Sequence, residues 1–146
     1  MIQGIIFDWI GTLYERNKGL FPYSVRVLQE LKPKYRFGLV SFARNGIEAR
    51  RKELEESGIL HLFDSVIVDT TKTSEHYLRC MKEMGTTPKT TAIVDDRTIR
   101  GITAGNRLGC ETFWIQQGEH THEIPNEETG EPTYRINSIE DLLKIL

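Results

Sequence analysis

Five residues of this chain, Asp8, Ser41, Lys72, Asp95 and Asp96, stand at or just beyond the ends of short apolar runs. The steps from Asp8 to Ser41, Ser41 to Lys72 and Lys72 to Asp96 are 33, 31 and 24 positions, about one strand-plus-helix unit each. A parallel sheet built from such units brings all of them to one rim, where open α/β sheets place their ligands. A charged carboxylate at the end of a buried strand is costly unless a cation or hydrogen-bond donors meet it. Two carboxylates at one rim can hold Mg²⁺, which keeps several waters and substrate phosphate among its ligands. A hydroxyl and an ammonium can bind phosphate oxygens, and the ammonium also offsets carboxylate repulsion. The set suits attack by an aspartate on a metal-bound phosphoryl group through an aspartyl-phosphate. Each residue also has a plainer reading: a strand-ending Asp starts turns, a Ser caps, and a Lys before a helix is a surface residue.

The elements that position these residues follow from the hydrophobic pattern. Strands are expected at Gly4–Asp8, Phe37–Ser41, Ser65–Asp69, Thr91–Asp95 and Thr112–Ile115, with an edge strand at Tyr134–Ile136. Helices are expected at Pro22–Leu31, Asn45–Ser57, Thr73–Met84 and Ile99–Leu108, three of them followed by Gly58, Gly85 and Gly109 as C-caps. A last helix follows Ser138, a residue type suited to an N-cap. The segment from Gly118 to Gly130 is polar and is expected to be a surface loop. Strands alternating with helices over short connections predict an α/β fold: one Rossmann-like, doubly wound parallel sheet with helices on both faces. The whole of residues 1–146 is expected to form a single domain, with no internal repeat.

Composition removes several classes of function. The charge balance is Lys+Arg 19 against Asp+Glu 21, net -2, which leaves no electrostatic footprint for nucleic acid or an anionic membrane. Apolar runs are strand-sized, too short to span a bilayer. Met1-Ile2-Gln3 leads straight into a strand with no basic n-region or cleavage site, so a cytoplasmic location is expected. Cys80 and Cys110 are too few for a disulfide framework or a four-ligand zinc site and are expected as reduced core thiols.

In order and spacing the motifs resemble the haloacid dehalogenase (HAD) superfamily over roughly Ile2 to Ile115. Asp8-Trp9-Ile10-Gly11-Thr12, Leu39-Val40-Ser41, Lys72 ahead of Ser74-Glu75-His76-Tyr77, and Ile93-Val94-Asp95-Asp96-Arg97 match its four motifs. Ala104-Gly105-Asn106-Arg107-Leu108-Gly109 and the strand after it resemble the helix and strand that follow the fourth motif. The resemblance implies that Asp8 is the nucleophile and a Mg²⁺ ligand, and that the Ile10 carbonyl is a second ligand. By the same likeness Asp96 is the third, Asp95 is a support or water-mediated ligand, and Ser41 and Lys72 bind phosphate. Arg44 and Asn45, at a helix start that favours anions, and Arg97, beside Asp96, are further candidates for substrate contact, with solvated loop residues or a local ion pair as the alternatives.

One departure matters. Phosphatases of the superfamily carry Asp two residues after the nucleophile as general acid and base, and this chain has Ile10. Loss of such a group costs about 10²–10⁴ in rate, which implies slow turnover or a good leaving group. Glu15 is the nearest downstream carboxylate. Dehalogenases and phosphonatases also lack that Asp, but both draw essential residues from a helical cap. Here 12 residues separate Asp8 from Phe21 and 30 separate Ser41 from Lys72, too few for a cap domain. The expected core is capless and open, with the Gly118–Gly130 loop the one long segment able to cover it in part. Such open sites imply a phosphorylated substrate, small or macromolecular, or a homo-oligomer whose neighbouring subunit covers the mouth. The alternatives are a degenerate HAD fold that binds a phosphorylated ligand or protein partner and, more distantly, a haloacid dehalogenase. His120 and His122 are expected in solvent, and Trp9 and Trp114 as packing aromatics, with Trp9 also placed to wall the pocket.

Overall fold

A computed structural model describes all residues, 1–146. Six strands form one wholly parallel sheet in the order β5-β4-β1-β6-β7-β8. They are β1 (Gly4–Phe7), β4 (Arg36–Phe42), β5 (Ser65–Asp69), β6 (Thr91–Asp95), β7 (Glu111–Ile115) and β8 (Tyr134–Ile136). The chain builds outward from β1 through β4 to β5, then crosses to β6 on the other flank of β1. That reversal is the switch point at which α/β sheets open a crevice.

The sheet is apolar on both faces because strand side chains alternate. Ile5 and Phe7 of β1, Phe37 and Leu39 of β4, and Ala92 and Val94 of β6 point into one core. Against them pack α1 (Ser24–Leu31), Leu54 of α2 (Ile47–Glu56), and Ile139 and Leu142 near the C-terminus. Ile6, Val40, Ile67 and Ile93 point the other way, onto α3 (Ser74–Met84) and α4 (Thr103–Leu108). In α3 the buried residues Tyr77, Cys80, Met81 and Met84 fall on one helical stripe. Gly38 lets that stripe approach, since a Cβ there would collide with Cys80 and Met84. Both cysteines are buried free thiols, and burial pushes each up to about 12.

Three local features depart from expectation. Tyr14–Glu15 (β2) and Gly19–Leu20 (β3) form a small antiparallel hairpin directly after the first motif. The expected Ile99–Leu108 helix begins instead as a π-helical turn, Thr98–Ile102, and becomes α-helical only at Thr103. The helix after Ser138 is a 3₁₀ turn, Ile139–Asp141, running into a short α5 (Leu142–Ile145); Ser138 does cap it, accepting from the Glu140 N–H at 3.2 Å. No cap domain interrupts the core: the hairpin is the one insertion between β1 and α1, and α2 is the one α-helix between β4 and β5. No helix is long and apolar enough to cross a membrane.

Candidate active site

Register explains why the carboxylates converge. Phe7 of β1 is level with Leu39 of β4 and Val94 of β6, and the Asp8 N–H donates to the Val94 carbonyl at 3.0 Å. Asp8 therefore leaves the sheet beside Asp95, with Asp96 one residue further on. One carboxylate oxygen from each of Asp8, Asp95 and Asp96 lies within 4.8 Å of the other two.

Lys72 reaches this cluster from the loop between β5 and α3. Its Nζ donates to Asp8 Oδ1 and to Asp95 Oδ2, both at 2.9 Å, and its side chain is only 2% exposed. Burial alone would lower Lys72, but the charges of Asp8 and Asp95 hold it well above its ordinary value. For Asp8, burial is the largest influence and pushes upward, but the Lys72 charge together with hydrogen bonds from Lys72, Asp96 and the Trp9 N–H outweighs it, so the net shift is downward. Asp8 is thus held as an anion, with its side chain 11% exposed.

The two acidic neighbours in motif four have different surroundings. Asp95 is fully buried and saturated: Oδ1 accepts from the Arg97 N–H at 3.0 Å, and Oδ2 from the Gly101 N–H and Lys72 at 2.9 Å each. The π-helical turn is what brings the Gly101 N–H there, and a Cβ at Gly101 would collide with that carboxylate. Asp96 Oδ1, by contrast, is buried with no hydrogen-bond partner. Its residue is held by its own carbonyl, which accepts from Trp114 Nε1 at 3.1 Å. Burial, then the charges of Asp8 and Asp95, push Asp96 up to about 10. Gly11, at φ +88°, closes over Asp96 so tightly that a Cβ would overlap the carboxylate.

Such an orphaned oxygen, flanked by two more carboxylates, fits a divalent cation. Asp8 and Asp96 would hold it. The Ile10 carbonyl suits the same purpose, because the turn after Asp8 closes through other acceptors. Thr12, Leu13 and Tyr14 donate to the Trp9 carbonyl, and Gly11 to that of Tyr14.

In front of these groups opens a cleft of about 540 Å³, bounded by Asp8, Ile10, Asp96 and the loop from Phe42 to Gly46. Arg44, Asn45 and Arg97 all line it. Ser41 does not: it is 1% exposed, and its Oγ accepts from Arg50 Nη1, which also reaches the Phe42 carbonyl at 3.1 Å. Arg50 stands between Ser41 and the cleft, and Glu53 ties it to the first motif by pairing with its Nε at 3.3 Å and accepting from Trp9 Nε1 at 2.7 Å. Trp9 itself is fully buried, stacked on Tyr14, and does not line the cleft. Arg97 pairs with Glu123 at 2.6 Å. Glu15 lies outside the cleft, with Lys18 at 3.8 Å.

The polar loop does reach the cleft, through Glu119 and His120. His120 is therefore half-buried, with Glu123 at 3.4 Å, and burial followed by the Arg97 charge lowers it; His122 is in solvent as expected. Arg50 and Arg100 are cleft residues that the sequence pattern did not mark. Arg50 sits on a helix charged on almost every side, and Arg100 on the irregular turn.

Residues 12–115 match the sequence family described as haloacid dehalogenase-like hydrolase. The chain belongs to that family. Among curated proteins it is similar to the pyrimidine 5'-nucleotidase PynA of Streptococcus pneumoniae, 28% identical over 111 residues, which is 71% of this chain and 45% of that protein. Among solved structures it resembles Bacillus subtilis YfnB bound to magnesium, with a TM-score of 0.73 at 22% identity over 87% of this chain and 56% of that one. A HAD-superfamily hydrolase from Ehrlichia chaffeensis matches at a TM-score of 0.75 and 17% identity, over 99% of this chain and 97% of its own. The chain thus spans about half the length of PynA and YfnB, and nearly the whole of the Ehrlichia protein. These structural likenesses show the HAD core fold, and the family match places the chain among the haloacid dehalogenase-like hydrolases.

Proposed function

We propose that this HAD-family hydrolase is a Mg²⁺-dependent phosphomonoesterase that works through an aspartyl-phosphate on Asp8. The observation that carries the reading is the contrast at one rim. Asp8 is kept ionised by buried Lys72, while Asp96 Oδ1 next to it has no partner. An Asp8 oxygen attacks phosphorus, and the bond to the leaving-group oxygen breaks with its electron pair. Ile10 offers no proton, so solvent protonates the leaving oxygen. Water then attacks the same phosphorus, the bond to Asp8 breaks, and inorganic phosphate departs with the carboxylate restored.

Lys72 orients Asp8 throughout and balances its charge. Arg50, braced on Ser41 and Glu53, supplies planar donors for the phosphate oxygens. Ser41 acts through Arg50 and is a positioning residue. Bound Mg²⁺ would neutralise the phosphate charge that otherwise repels Asp8. Asp95 holds Lys72 and the π-helical turn in place. PynA's name supports phosphomonoester chemistry.

A second reading is favoured by one observation: the cleft has Ile10 at the position of the general acid, and Glu15 does not reach it. On that reading the chain binds a phosphorylated ligand with little turnover. Hydrolysis of p-nitrophenyl phosphate separates the two, because its leaving group needs little protonation. Mg²⁺-dependent turnover that is lost in Asp8→Asn supports the enzyme. No turnover with Mg²⁺ bound supports the binder.

A further inference from the structure

Five arginines line the cleft. Three have carboxylate partners: Arg16 with Glu119 at 3.5 Å, Arg50 with Glu53 at 3.3 Å and Arg97 with Glu123 at 2.6 Å. Arg44 and Arg100 have none, yet both are held at the same ring. The Arg100 guanidinium lies 3.9 Å from the centroid of Phe42, and that of Arg44 lies 5.9 Å from it. Arg100 is half-buried: burial and then the Arg97 charge work against its proton, while the nearby charges of Asp95 and Asp8 favour it. Arg44 is exposed, and neither guanidinium is committed to a carboxylate, so both keep planar donors free for an anion that enters the cleft.

The rest of the wall narrows what that anion belongs to. Ile10, Phe42, Ala43 and Ala49 are the hydrophobic members of the lining, and the Phe42 ring already carries the two guanidiniums. The one other aromatic side chain in the lining is His120, which sits beside Glu123, so the wall offers little apolar surface to a nucleobase or an acyl chain. A dianionic phosphate balances two guanidiniums, whereas a carboxylate balances one.

We infer that the cleft takes a small bisphosphate, with one phosphate at Asp8 and Asp96 and a second held by Arg44 and Arg100 at the Phe42 ring. The inference rests on the phosphomonoesterase reading for the first phosphate. The second phosphate is recognised by charge alone, which suits a hydrophilic sugar or polyol backbone between the two groups.

The test compares fructose 1,6-bisphosphate, fructose 6-phosphate and 6-phosphogluconate on the wild-type protein with Mg²⁺. Hydrolysis and calorimetric affinity are both measured, and Arg44→Gln and Arg100→Gln are run alongside. Both substitutions sit on the cleft surface, and circular dichroism checks their folding. The expected result is at least about a tenfold preference for the bisphosphate over the monophosphate, narrowed about tenfold by either substitution. The ratio is the readout, because general damage lowers both ligands together and leaves it unchanged. An unchanged ratio, or no preference in a wild type that hydrolyses p-nitrophenyl phosphate, overturns the inference while the phosphomonoesterase reading stands. Equal preference for 6-phosphogluconate overturns the assignment of a second phosphate. If nothing is hydrolysed, a preference in affinity that Arg44→Gln and Arg100→Gln narrow still supports the second site, and equal affinities overturn it.

Discussion

The back and the front of this site are built on opposite rules. At the back, Lys72, Asp8 and Asp95 satisfy one another, and Asp95 takes two further backbone donors. At the front, Asp96 Oδ1 has no partner, and Arg44 and Arg100 have no carboxylate. A buried polar group left unpaired destabilises a fold unless something else pairs it. The back is therefore structure that the chain completes by itself, and the front keeps polar groups that the fold leaves open to a ligand.

The largest effect should come from breaking the back. Lys72→Ala leaves two buried carboxylates without their cation and should destabilise the protein by about 3–5 kcal/mol in urea unfolding. Asp96→Asn, at the front, should change the stability of the metal-free protein by less than about 1 kcal/mol. It should also remove the stabilisation that Mg²⁺ gives. Similar losses for the two would erase the distinction between back and front.

Next in size is the front wall's missing proton. Ile10→Asp places a carboxyl at the cleft and should raise kcat on alkyl phosphates by about 10²-fold or more, with a much smaller gain on p-nitrophenyl phosphate. The comparison of leaving groups is the check, since improved folding would raise both alike.

The third effect is in pH. Asp96 is pushed up to about 10 and Asp8 is pushed down, so at neutral pH Asp96 carries a proton and Asp8 does not. Mg²⁺ must displace that one proton. Its affinity should therefore rise with pH, by up to about tenfold per unit between about pH 6 and about pH 9. Calorimetry in buffers of different ionisation enthalpy would count the proton released; a flat profile would place the metal elsewhere.

The smallest effect is expected at the brace between back and front. Trp9→Phe removes the 2.7 Å hydrogen bond to Glu53 and should cost about 1 kcal/mol of stability. It should also loosen Arg50, read as a rise in KM for p-nitrophenyl phosphate. A loss of stability without that rise would make the brace structural only.

Much of this was legible in the sequence because strand ends carry it. Ser65–Asp69 and Thr91–Asp95 are bounded in the structure as the apolar runs imply, and the same runs deliver Asp8, Asp95 and Asp96 to one rim. The roles of Asp95 and Asp96 were harder to separate. The Arg97 and Gly101 N–H groups and the Lys72 ammonium mark Asp95 as the satisfied one, and they meet it only through the irregular turn and the fold. The β2–β3 hairpin was missed because two-residue strands have no periodicity to read. The π-helical turn was hidden inside an apolar spacing that an α-helix satisfies equally well. Arg50 was lost among the charges of α2, where no stripe distinguishes a cleft-facing guanidinium from a solvated one.

The proposed chemistry turns on one bond, between Asp8 and phosphorus. Wild type mixed with Mg²⁺ and p-nitrophenyl phosphate, quenched in acid within the first turnovers, should gain the mass of one phosphoryl group. Hydroxylamine should remove it, peptide mapping should place it on Asp8, and Asp8→Asn should show none. Turnover that proceeds without that adduct, or an adduct that persists in Asp8→Asn, would contradict the account.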